Sequence, residues 1–139
     1  MAGDPRRLVL ADLVARLAAS VAGQARAYEA AAGQAEGALR HALEALTLAK
    51  RAQAADLTPL AQALEVSAPS APPLPSTGGS PAWGVILGEA FQAERALEEM
   101  GRELAGLTEE PADRALALRL ATAAARDAAE VRRLYLRYS

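Results

Sequence analysis

The residues able to do chemistry are few. The chain has no cysteine, one histidine (His41) and one lysine (Lys50). No disulfide framework, Cys-ligated zinc or Cys nucleophile is therefore available. A single histidine leaves no multi-histidine metal site and no Ser-His-Asp triad. His41 and Glu44 share one helix face, but two ligands do not hold a metal tightly and position 41 lies off the apolar stripe; both are expected to face solvent. Glu89, Glu94, Glu98 and Glu99 group on a helix rather than in a loop with the oxygen spacing calcium needs, and read as a solvated acidic face. Tyr28 falls on an inner stripe, where it is either a core tyrosine with a hydrogen-bonded hydroxyl or a redox tyrosine beside a metal. Four residues remain: Lys50, Gln53, Glu94 and Asp127. Each interrupts an apolar helical stripe with a polar group, and together they offer an ammonium, an amide and two carboxylates.

The elements that must position these four are helices. Alanine takes 37 of the 139 positions and leucine 21, against one isoleucine, one phenylalanine and one tryptophan. Such a composition favours helix and offers little to a sheet. The length fits one domain with one core. Asp4-Pro5 caps a first helix over about 5–32, with Leu10, Leu13, Val14, Leu17, Val21 and Tyr28 on one face. Gly33 and Gly37 flank a weak spot, after which a second helix runs over about 36–57. A single long helix through the glycines is the alternative, because the apolar phase continues across them. Thr58-Pro59 is expected to restart a short helical turn over 58–65. A Pro-rich, uncharged connector follows at 66–81, and helices at 82–107 and 111–138 complete the chain. The fold expected is an all-α, antiparallel four-helix bundle: two helical hairpins joined by a long crossover. Residues 89–113 carry eight acids and two bases, and 114–139 six bases and two acids. The last two helices should therefore attract as antiparallel neighbours.

The inward stripes read 39, 43, 46, 50, 53, 57 on the second helix, 87, 90, 94, 97, 101, 104 on the third and 116, 120, 123, 127, 131, 134 on the fourth. Counting from the turns places Lys50, Gln53, Glu94 and Asp127 near one level, mid-bundle. The expectation is an internal cluster: Lys50 paired with Glu94 and Asp127, with Gln53 hydrogen-bonding beside them. A rotation of the helices by a few tens of degrees would instead let Lys50 snorkel to solvent.

Residues 89–134, EAFQAERALEEMGRELAGLTEEPADRALALRLATAAARDAAEVRRL, resemble the second hairpin of rubrerythrin-like and ferritin-like proteins, and residues 17–57 more faintly resemble the first. The resemblance implies ferritin-like topology and, in working members, a di-iron or di-manganese oxidoreductase. Glu94 matches the third-helix ligand glutamate. The fourth-helix Glu-x-x-His matches Ala124 and Asp127, the second-helix Glu-x-x-His matches Lys50 and Gln53, and the first-helix glutamate matches Val21. Most ligand positions are thus replaced, and one holds an ammonium that would repel a metal. A degenerate, metal-free bundle without cofactor or catalytic residues is therefore expected. Its role would be that of a structural or protein-interaction module. A metal-dependent oxidoreductase with an atypical site and a long-helix adaptor are the alternatives.

The net charge of −2 gives no broad attraction to nucleic acid. Asp12 and Arg16 interrupt the N-terminal apolar run, no signal-peptide core follows, and no uncharged apolar stretch reaches membrane-spanning length, so a cytoplasmic chain off the membrane is expected. Leu134, Tyr135, Leu136 and Tyr138 put apolar groups on more than one face of the last helix. A second subunit, making a homodimer, is the expected partner, beside a protein partner of unknown identity.

Overall fold

The computed structural model describes residues 4–66 and 81–139, which form four α-helices: α1 (Pro5–Gln34), α2 (Gly37–Ala63), α3 (Trp83–Leu107) and α4 (Pro111–Tyr138). No strand occurs among the described residues. The connector expected at 66–81 lies, from 67 to 80, outside them. α1 starts where Asp4 accepts a hydrogen bond from the Arg6 backbone N–H at 3.0 Å, with Pro5 supplying a pre-set φ at the first position. It ends at Gln34. Ala35 turns extended and Gly37 takes φ +59°, a conformation that favours glycine, so two helices replace the single long one.

α2 departs from the boundary expected at residue 57. It runs unbroken through Pro59 to Ala63. Thr58 does not cap a new turn: its hydroxyl donates to the Ala54 carbonyl at 3.2 Å, within the same helix. Leu57 and Leu60 are both buried, and this apolar anchoring on either side of the proline holds the helix together where the proline removes a backbone bond.

The helices form a ring of neighbours, with α1 against α2, α2 against α4, α4 against α3 and α3 against α1. The α3–α4 contact is the closest fit. A Cβ added to Gly101 would come within 3.0 Å of the Ala121 nitrogen and 3.2 Å of the Ala117 carbonyl oxygen. Glycine and alanine let these two backbones approach. The long charged side chains are pushed to the outer faces, and no ion pair joins α3 to α4 among the described residues. The attraction expected from their opposite charges is thus not made by contact within the chain.

The core has two apolar halves. One contains Leu13, Leu17, Val21, Leu57, Leu97, Leu104 and Leu120; the other contains Tyr28, Leu39, Leu43, Leu46, Leu87, Val131 and Leu134. Along α1 and α4 the chain passes from the first half to the second, and along α2 and α3 from the second to the first. By length and composition α1 could cross a membrane, but its apolar stripe is buried against the other helices.

Candidate functional site

Between the two apolar halves every helix contributes something polar. On α1 it is Gln24, with the Tyr28 hydroxyl; on α2, Lys50 and Gln53; on α3, Glu94; on α4, Asp127. Each occupies the inward stripe, three or four residues from an apolar core neighbour, so the helical period itself turns it inward. Lys50 and Glu94 are 0 % exposed and Asp127 is 4 % exposed. Lys50 therefore does not snorkel.

The Lys50 Nζ lies 2.5 Å from Glu94 Oε1 and 2.9 Å from Asp127 Oδ2, and donates to Gln53 Oε1 at 2.9 Å. Gln53 Nε2 in turn donates to Asp127 Oδ2 at 3.0 Å, so that one carboxylate oxygen collects both the ammonium and the amide. On the other side the Tyr28 hydroxyl donates to Glu94 Oε2 at 2.5 Å. The Lys50–Glu94 contact is a close ion pair without hydrogen-bond alignment, since Glu94 Oε1 has no aligned donor. Gln24 is buried with its Nε2 unpartnered.

One ammonium faces two carboxylates. Burial raises the Glu94 carboxyl above its ordinary 4.5, against the lowering effects of the close Lys50 ammonium and of the Tyr28 hydrogen bond; Asp127 adds to the rise. Burial, and then the Glu94 charge, push the Tyr28 phenol far up, so it stays a neutral donor at any physiological pH. Tyr28 is thus a hydrogen-bonded core tyrosine.

No family model, curated protein or solved structure matches this chain. Its chemistry must be read from the donor set alone. The residues do not fit a di-metal centre. Two irons or manganese ions need several anionic oxygens and imidazoles. Here two carboxylates converge on a cationic nitrogen that already lies at ion-pair distance from both, and the only histidine, His41, is exposed on the outside of α2. Among the described residues no group of three or more His, Cys, Asp or Glu could hold a metal ion. Glu44 pairs with Arg40 on the surface; Glu98, expected on a solvated face, is instead buried and held by Arg102, so neither serves the centre. Glu89 and Glu99 are exposed.

Access to the centre is limited. A surface groove of about 410 Å3 between α1 and α3 touches Gln24 and Tyr28, and one of about 490 Å3 between α2 and α4 touches Gln53. Neither is lined by Lys50 or Glu94. The stripe reading on α1 overlooked Gln24, although the spacing 14, 17, 21, 24, 28 carries it on the same face.

Proposed function

We propose that this chain is a ferritin-like bundle whose mid-core cation is its own lysine, and that it works without metal as a structural or protein-interaction module, as a homodimer in the cytoplasm. One observation carries the reading. Lys50 Nζ lies within 2.9 Å of carboxylates from α3 and α4, shut off from solvent, at the level where a bundle of this kind would hold a metal. The two apolar halves alternate along the helices in the order that antiparallel neighbours and an up-down-down-up path would give, which supports ferritin-like topology. The chemistry that remains is positional. A buried pair contributes little net stability, because desolvation offsets the attraction, but it penalises every register that leaves a charge unpaired. Lys50, Glu94 and Asp127 therefore fix how α2, α3 and α4 meet, and the surface of the bundle is left for partners.

The test is metal analysis of protein purified without chelators and again after soaking in ferrous iron, manganese and zinc. Less than about a tenth of an equivalent throughout is the expected result, since an ammonium at ion-pair distance repels a divalent ion. One or two tightly held ions per chain would overturn the reading in favour of an oxidoreductase with an atypical centre.

A further inference from the structure

The outer face of α4 carries apolar groups that the core does not use. Leu136 is 71 % exposed and Leu118 50 % exposed. Between them, on the same face, lie Thr122, Ala125, Ala129 and Arg132. The spacing is four, three, four, three, four, which is that of a helix seam. The order of residue types is close to a palindrome: leucine at each end and alanine on each side of the midpoint. Reversing the helix about that midpoint puts Leu118 opposite Leu136 and Ala125 opposite Ala129. A two-fold axis makes this operation, since in such an interface residue i meets j while j meets i.

Charge adds a second condition. Arg132 has no ion-pair partner among the described residues, and neither has Glu99 on the adjoining face of α3. Gly88 lies against Tyr135 and Gly101 against Ala121, which fixes the levels of the two helices. Arg132 then falls about one turn to one side of the α4 midpoint, and Glu99 about one turn to the other. The same two-fold axis brings Arg132 of one copy to Glu99 of the other, twice. Of the other arginines of this stretch, Arg133 pairs with Glu130, Arg126 lies 3.7 Å from Asp127, and Arg119 borders the α2–α4 groove.

We propose that the outer face of α4, from the α2–α4 groove that Leu118 borders to the α3–α4 groove that Leu136 borders, is the homodimer interface, with α4 of one copy crossing α4 of a second copy in the opposite direction. Leu118 then packs on Leu136, Ala125 on Ala129, and Arg132 pairs with Glu99 across the axis. The shallow apolar groove of about 360 Å3 along this face, lined by Gly88, Phe91, Arg132, Tyr135 and Leu136, is covered by the second copy. The inference rests on the homodimer reading above and names the surface that serves it.

Analytical ultracentrifugation over a concentration series tests it. Wild-type protein is expected to dimerise. Leu118→Glu with Leu136→Glu should leave monomer with unchanged helical circular dichroism, because both side chains are exposed. Arg132→Glu and Glu99→Arg should each weaken association about tenfold, and their combination should restore it. The chain has no cysteine, so Ala125→Cys protein mixed with Ala129→Cys protein should oxidise to a cross-linked pair, faster than either variant alone. A wild-type monomer at every concentration would overturn both the dimer and its interface. A dimer indifferent to the leucine and charge variants, with no preferential cross-link, would overturn this interface and leave the dimer standing.

Discussion

The middle of the bundle and its two ends are built on opposite principles. At the ends, Leu13, Leu17 and Leu104 on one side and Leu39, Leu43 and Leu134 on the other are buried among apolar neighbours. Each contributes roughly 1.5–3 kcal/mol through burial, whatever its detailed partner. Hydrophobic contact is non-directional, so these layers reward compactness and tolerate small shifts. In the middle, Lys50, Gln53, Glu94, Asp127 and Tyr28 contribute little net energy, but each demands a particular partner at 2.5–3.0 Å. The ends supply stability, and the centre is selective about its partners.

Breaking that comparison should have its largest effect at Lys50. Lys50→Met leaves Glu94 and Asp127 buried without a counter-charge and should cost about 3–5 kcal/mol in chemical denaturation. Replacing the whole centre (Tyr28→Phe, Lys50→Met, Gln53→Leu, Glu94→Leu, Asp127→Leu) should recover most or all of that loss, while widening the range of packing states seen by NMR. If the single variant is as stable as wild type, the centre does not fix the helix register.

A smaller effect is expected at the close α3–α4 contact. Gly101→Ala drives a methyl to within 3.0 Å of the Ala121 nitrogen and should cost about 1–3 kcal/mol. Gly106→Ala meets nothing within 4 Å and should instead stabilise the helix by somewhat under about 1 kcal/mol. Thermal melts of the two variants would move in opposite directions if the contact is as tight as the geometry implies.

The smallest effect is a pH dependence. Burial raises the folded-state pKa of Glu94 above the ordinary 4.5 that holds in the unfolded chain. Over that interval the folded state binds the extra proton, and unfolding releases it. The contribution is therefore full below pH 4.5 and is lost as pH rises through the folded-state value. Glu94→Gln cannot titrate. The stability of wild type relative to this variant should fall as pH increases above 4.5. A difference independent of pH would mean that Glu94 has the same pKa folded and unfolded, so that the Lys50 charge offsets its burial.

Much of the centre was legible because helical period is a strong signal. Once 87, 90, 94, 97 and 116, 120, 127, 131 are read as stripes, Glu94 and Asp127 must point inward. Three things were less legible. The extension of α2 past Pro59 depends on Leu57 and Leu60 being buried on either side of it, which is a tertiary fact. Gln24 was passed over because attention to apolar residues hides a polar one on the same stripe. The hydroxyl of Tyr28 was expected to find a partner, but nothing in the spacing named Glu94 as its acceptor.

By itself, the sequence determined that this chain is helical, where its helices start, and which face of each turns inward. Those are consequences of local propensity, capping and a fixed period of 3.6 residues. Tertiary structure alone decided that Lys50 is fully enclosed rather than reaching for water. A lysine side chain is long enough for either outcome. The choice depends on whether two carboxylates from other helices come within ion-pair distance, and only the packed bundle brings them there.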